Sequence, residues 1–238
     1  YRILCFKLVM ILNGRLALIA EKVPECNVVC DIGSDHAYVP IYLVQRGKCR
    51  RAIATDIKEG PVAISKRNIE EYGLSANIET RVGNGLDTIE DHEVDVIIIA
   101  GMGGVIIKDI LERGIDKAKK ANALILQPMT AVEVLHEWLC SNGFEVYDEK
   151  LVREENKIYD VIAARWTGKI LSKDILYYYI GEKLFENKDP LLKIHIQNKI
   201  NQLDKIISQM ENMKEKDSNK RKEYINLREK YRKAITTI

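Results

Sequence analysis

The chain has 238 residues, of which 46% are apolar and 30% charged, with a net charge of +2. That length suits one large α/β domain with a smaller appendage, and the composition is that of an ordinary soluble globular protein. The apolar opening of about a dozen residues is too short for the ~20 that span a bilayer and lacks a small-residue cleavage site, so neither a membrane anchor nor a signal peptide is expected. The five cysteines form no C-x-x-C and have no partner at zinc-site spacing, so we expect no metal, buried thiols and a cytoplasmic location.

In chain order, Leu16, Leu18, Ile19 and Val23 fall at helical spacing. Residues 28–32 form a short apolar strand, followed by a helix over 38–46 that ends at Gly47. A second strand, 51–55, closes at Asp56, and Pro61 suits the first turn of a helix that reaches Tyr72. Residues 78–82 and 94–100 are the third and fourth strands, the latter the most apolar and ending in Gly101-Met102-Gly103-Gly104. A helix over 105–113, a fifth strand over 123–126 closed by Gln127-Pro128, and a helix over 131–141 follow. This alternation predicts a parallel sheet with helices on both faces. Residues 144–152 and 158–166 are strands separated only by the polar stretch 153–157, so they form an antiparallel hairpin. A NAD-type fold does not have that closing hairpin, whereas the methyltransferase variant of the doubly wound sheet does.

Beyond Gly168 no strand pattern returns. Ile175, Tyr178, Tyr179 and Leu184 read as one helix, and Asp189-Pro190 starts another. Ile196, Ile200, Leu203, Ile207 and Met210 make a seam of coiled-coil spacing. After a polar turn at 214–221, Tyr224, Leu227, Tyr231 and Ala234 resume a similar period, which predicts a helical hairpin. Residues 170–238 carry 15 Lys/Arg against 10 Asp/Glu, while the rest of the chain is slightly acidic. A basic appendage points to a polyanionic partner, and a solvated helical surface is the other reading.

The chemistry concentrates at the strand ends, where doubly wound sheets bind ligands. The first turn is Asp31-Ile32-Gly33-Ser34-Asp35-His36-Ala37-Tyr38. It lacks the second and third glycines of the dinucleotide fingerprint, and its two carboxylates would repel a pyrophosphate. They suit a cationic ligand rich in amines and hydroxyls, such as S-adenosylmethionine. Asp56 stands 23 residues after Gly33, near the spacing of a ribose-binding acid, and is otherwise an ordinary strand-end Asp. Asn84 and Gly85 offer an amide to an adenine edge or simply a turn. Three glycines around Met102 permit close backbone approach by a ligand. His36 is either an acid–base group or a hydrogen-bonded neighbour of Asp35 or Asp31. Tyr177, Tyr178 and Tyr179 either stack on RNA or pack.

Three of these segments together, Asp31–Tyr38, Ile99-Ala100-Gly101-Met102-Gly103-Gly104 and Leu126-Gln127-Pro128, resemble the bacterial tRNA (adenine-22-N1)-methyltransferase family, TrmK. The resemblance covers about residues 13–168, the polar hairpin before Lys157-Ile158-Tyr159 included. It departs from the family at Asn84, where an Asp is usual, and at residues 1–12. It implies a class I methyltransferase with a Rossmann-like sheet over 1–168 and a helical coiled-coil hairpin over 169–238. It further implies S-adenosylmethionine-dependent methylation of a purine N1 in tRNA. Asp31, Gly33, Ser34, Asp35 and His36 would surround the methionine end of the donor, Asp56 its ribose, and Asn84, Gly85 and Leu86 its adenine. Ala100, Gly101, Met102 and Gly103 would form the floor beneath the sulfonium. Asp31, His36, Met102 and Gln127 are the candidate catalytic residues. tRNA is the expected partner, docked on the basic hairpin, with a weak homo-oligomer through the apolar seam as the rival use of those helices. A non-catalytic RNA-binding protein, or a methyltransferase for another base or a small molecule, are the alternative functions. The place after the fourth strand carries no Asn/Asp-Pro-Pro-aromatic tetrapeptide, which by family analogy favours a ring nitrogen over an exocyclic amine.

Overall fold

Strands β1 (Cys26–Ile32), β2 (Cys49–Asp56), β3 (Ile78–Val82), β4 (Val96–Met102) and β5 (Ala123–Pro128) alternate with helices, as the apolar runs require. They pair in parallel in the order β3-β2-β1-β4-β5. The computed structural model describes residues 8–212 and 218–238. Strands β6 (Phe144–Glu154) and β7 (Lys157–Trp166) close the sheet, with β7 inserted antiparallel between β5 and the edge strand β6.

Both sheet faces are covered, which explains why the central strands show continuous rather than alternating hydrophobicity. Val96 and Ile98 face one core with Ile19 of α1 (Gly14–Lys22), Ile41 of α2 (Tyr38–Gln45) and Ile69 of α3 (Glu59–Glu71). Ile97 and Ile99 face the other, with Ile107 of α4 (Gly104–Arg113), Ala118 of α5 (Ile115–Lys120) and Leu135 of α6 (Val132–Ser141).

Two details of the fourth strand differ from expectation. It begins at Val96 and continues through Gly101 and Met102, with a register shift against β5 between Ala100 and Met102. The extra residue is Gly101 at φ +77°, a left-handed conformation that glycine adopts without strain. The short helix α5 and a 3-10 turn at Gly85–Thr88 carry too few residues to show a period.

The hairpin is longer than its polar sequence implied. Arg153 pairs with Ile158 and Glu154 with Lys157, so the expected turn at 153–157 contracts to Glu155 and Asn156.

A third core lies outside the sheet. Four residues of the seam, Ile196, Ile200, Leu203 and Ile207, are buried on α9 (Leu192–Asn212) against Leu227, Tyr231 and Ala234 of α10 (Ser218–Ile235). The pairing of Asp204 with Arg228 and Glu211 with Arg221 makes the two helices antiparallel. The expected turn at 214–221 lies outside the described residues up to 217, and residues 218–221 are already helical. The single helix expected over 175–184 is two, α7 (Ile175–Tyr179) and α8 (Glu182–Glu186), broken at Ile180 and Gly181. Glycine is required at the break, since a Cβ on Gly181 would come 1.5 Å from Glu149 Oε2.

The tyrosine cluster packs rather than presenting a stacking surface. Tyr177 sits edge-on to Phe185, Tyr178 OH accepts from the Lys173 backbone N–H, and Tyr179 joins the third core. Leu151 of β6 belongs to that same core, and Ile158 packs against it. The Asp189 carboxylate accepts the Leu151 N–H of the edge strand at 2.9 Å and the Leu191 N–H at 2.8 Å. The helices therefore complete the hairpin rather than hang from it.

Candidate active site

The β1 turn is held by its own backbone. Gly33, at φ +77°, and Ser34 both donate N–H to the Thr55 carbonyl at 2.8 Å, drawing the turn onto β2. Ala37, at φ +56°, leads into α2. The result is a cleft of about 370 Å³ whose wall includes Arg15, Asp31, Gly33, Ser34, His36 and Gly101. Asp31 lies at its base, 8% exposed. Burial raises its carboxyl to about 6, opposed by a hydrogen bond with Ser34. An acid so placed gains most from a cationic ligand, which would favour its ionised form.

The other turn residues divide by exposure. Asp35 is open to solvent, and His36 Nε2 lies 3.3 Å from its carboxylate. Its ring stacks on Tyr38 at 4.9 Å between centroids. Met102 packs over Gly33 so closely that a Cβ there would come 2.1 Å from its Cε.

Asp56 and Asn84 stand on the neighbouring strand ends, beside the cleft rather than in its wall. Asp56 Oδ1 accepts the Lys58 N–H at 2.8 Å, and its carbonyl accepts the Gly83 N–H at 2.9 Å, tying the β2 and β3 ends together. Asn84 is exposed, with Oδ1 3.3 Å from Arg113 Nη2. Gly85, at φ +57°, and Leu86 are the buried first residues of the 3-10 turn. Ile57 and Val82, both more than half exposed, leave an apolar shelf at these strand ends.

Gln127 is completely buried and its polar atoms are occupied. Oε1 accepts from Arg15 Nη1 at 2.7 Å and from the Gly101 N–H at 3.1 Å, while Nε2 donates to the Pro128 carbonyl at 2.8 Å. Gln127 thus sets the β4 bulge and aims Arg15. Its carboxamide is committed to Arg15, the Gly101 N–H and the Pro128 carbonyl. Arg15 also stacks over Tyr159 at 5.7 Å and pairs with Glu154 at 3.6 Å. No motif marks Arg15, because its contacts come from chain segments more than a hundred residues away. The same holds for the shelf residue Ile57, an exposed apolar side chain in a sequence full of apolar side chains.

The β4 loop is fixed by steric contact at its far end. Gly104 donates to the Thr130 carbonyl at 2.7 Å, and a Cβ on it would come 2.2 Å from the Ala131 carbonyl oxygen. Gly104→Ala is expected to cost about 2 kcal/mol, in the range of overpacked sites, because backbone cannot yield as a side chain tip does. Thermal unfolding of the variant beside the wild type should register the loss as a lower Tm.

A family model described as a methyltransferase domain matches residues 12–162. The tRNA (adenine(22)-N(1))-methyltransferase of Bacillus subtilis is 36% identical over 218 residues, covering 89% of this chain and 90% of that protein. The chain belongs to this methyltransferase family. Solved structures agree with the assignment. The B. subtilis m1A22 tRNA methyltransferase TrmK superposes with a TM-score of 0.85 at 34% identity, covering 95% of this chain and 99% of that one. TrmK of M. capricolum, in complex with the cofactor product S-adenosyl-homocysteine, gives 0.82 at 32% identity over 95% and 99%. The family model spans both the acidic β1 turn and most of the closing hairpin. Among the described residues the cysteines are free thiols, no acidic, His or Cys cluster could hold a metal, and no helix is long and apolar enough to cross a membrane.

Proposed function

We propose that this chain methylates N1 of the adenine at position 22 of tRNA, using S-adenosylmethionine, in the cytoplasm. The observation that carries the reading is the buried Asp31 at the base of a cleft bordered by two glycine turns. A buried carboxylate with only Ser34 as its recorded side-chain partner suits the donor's ammonium, and the left-handed Gly33 and Gly101 let backbone approach its thioether chain. Asp35 and His36 border the same methionine end, Asp56 takes the ribose hydroxyls, and the shelf of Ile57, Asn84, Gly85 and Leu86 takes the adenine. Ala100, Gly101, Met102 and Gly103 lie beneath the reacting centre.

When bound, the donor supplies a methyl group on a positively charged sulfur. The adenine N1 lone pair is already a nucleophile, so the chain need not remove a proton. Its work is to hold the base in line and to exclude water, and such positioning supplies ~7–11 kcal/mol of barrier reduction. N1 lies on the pairing edge, so the base must first leave its stack at a few kcal/mol. Arg15, held by Gln127 and lying over Tyr159, forms the wall that would meet the exposed base.

Of the cations on the two long helices, Arg228, Lys230 and Arg232 are engaged with Asp204, Asp174 and Glu229. Among the described residues Lys193, Lys199, Lys205 and Lys222 carry no ion pair and remain for phosphates. Transfer of labelled methyl to unmodified tRNA, with the modified base mapped, tests the whole reading. Label at N1 of adenine 22 is expected. Label elsewhere, or S-adenosylmethionine binding without transfer, would replace it by one of the alternative functions.

A further inference from the structure

A second cleft, of about 320 Å³, lies on the far side of the Arg15–Tyr159 wall, between the β5 end, the β6–β7 turn and α9. Two of its residues are polar, buried and unsatisfied. Asp160 on β7 has a side chain 9% exposed and His195 on α9 one 7% exposed; neither Asp160 Oδ1 nor His195 Nε2 has a hydrogen-bond partner. The two atoms are 4.0 Å apart, too far to satisfy each other. Burial holds the imidazole below its ordinary range and therefore neutral at pH 7. Leaving two such atoms unmade costs stability, so the arrangement is expected to be completed by something that enters the cleft. Lys157 and Lys199 stand on its walls as unpaired cations, and Tyr159 adds an aromatic face.

Resting on the methylation reading, we propose that this cleft seats a guanine of the same RNA, distinct from the adenine that is methylated. The pattern is what selects the base. A carboxylate offers acceptors and a neutral imidazole offers one N–H, and guanine's pairing edge presents the complement, N1–H and an amino group beside O6. Uracil would turn a carbonyl toward the carboxylate on either side of its single N–H. Cytosine has one donor group followed by two acceptors. The target adenine is excluded because its N1 must face the cofactor cleft across the wall. The two lysines sit where the flanking phosphates of a seated nucleotide would need cations. The cleft spans sheet and helices, so the seated base would also orient the basic hairpin over the RNA.

The test is a cycle between protein and RNA, read as the dissociation constant of tRNA by fluorescence titration, with methyl transfer recorded in parallel. Inosine, which lacks the amino group, replaces each guanosine in turn. One position is expected at which inosine weakens wild-type binding about tenfold but leaves Asp160→Asn binding unchanged. Effects that multiply at every position, or an Asp160→Asn protein that binds wild-type tRNA normally, would overturn the proposal. Where Asp160→Asn lowers Tm, Lys199→Glu on the wall of the cleft replaces it: a fivefold or greater loss of tRNA affinity with unchanged cofactor affinity is expected, and an unchanged value overturns. Guanosine monophosphate alone should bind only at millimolar concentration; tight binding that leaves tRNA affinity untouched would mark a free-nucleotide site instead. Coupling without methyl transfer would count against the methylation reading alone, and transfer without coupling against this one alone.

Discussion

Asp31→Asn is expected to weaken S-adenosylmethionine binding about a hundredfold at pH 8 while making the ligand-free protein more stable. The first part follows from removing one partner of a buried, hydrogen-bonded charge pair, which costs about 3 kcal/mol or more of affinity. The second follows from burial. The Asp31 carboxyl, ordinarily at 3.8, is held at about 6, so the folded protein keeps its proton more strongly than the unfolded chain does. A group raised in this way leaves stability intact below its unfolded value and reduces it as pH climbs toward 6. Above that, ionised Asp31 imposes a steady penalty of about 3 kcal/mol, since each pH unit between the unfolded and folded values is worth about 1.36 kcal/mol. The amide carries no such penalty, so the variant should unfold roughly 6–12 °C higher at pH 7 for a chain of this size. Ligand binding runs the other way. The donor's ammonium prefers the ionised acid, so wild-type affinity should rise between pH 5 and 7 and then level, whereas the Asn variant should be flat across that window. Calorimetric titration at three pH values, beside thermal unfolding, reads both halves. Parallel pH profiles for the two proteins would remove Asp31 from the site.

The parallel sheet was legible because its central strands are apolar on both faces and its helices stop at glycines, signals that survive without tertiary information. Gly33, Asp31 and the glycines around Met102 were legible for a related reason: a strand end with charge and glycine has few other uses. Arg15 was hidden, since its partners Gln127 and Tyr159 lie far along the chain and an arginine in an amphipathic helix looks like surface. Gln127 was visible as part of a motif, but its fully occupied carboxamide was not. The break at Gly181 was masked by an apolar period that runs through it, and the close approach of the Glu149 carboxylate from β6 leaves no trace in the local sequence. Asp160 and His195 carry no motif at all; only the meeting of β7 with α9 makes a pair of them.

Removing Glu149 is expected to loosen the helical appendage and leave the cofactor cleft intact. Glu149 and His136 are both buried, with Nε2 3.1 Å from Oε1. His136 Nδ1 lies 2.8 Å from the Tyr178 carbonyl, which can only accept, so Nδ1 carries a proton and donates. The Glu149 carboxyl faces Nε2, so the two groups' protonation states are set together. Burial raises the Glu149 carboxyl, and Glu149 in turn raises His136. The pair joins α6 and β6 to the α7 backbone at Tyr178, and Gly181 leaves room for it beside α8. Glu149→Ala strands a buried imidazole, a loss of about 3–5 kcal/mol, or about 10 °C in Tm. A Glu149→Leu, His136→Phe double variant, with neither charge to desolvate, should recover most of it. Because both groups bind protons more tightly when folded, their contribution is complete below the ordinary carboxylate value and declines as pH rises through their raised values. The wild type should therefore lose stability toward alkaline pH more steeply than the double variant. The free lysines Lys193, Lys199 and Lys205 ride on α9, which follows directly from the anchored segment. Glu149→Ala should accordingly weaken tRNA binding several-fold and leave S-adenosylmethionine affinity unchanged, the inverse of the Asp31→Asn pattern. If instead both affinities fall together, the anchor is holding the sheet itself rather than the helices that it joins to it.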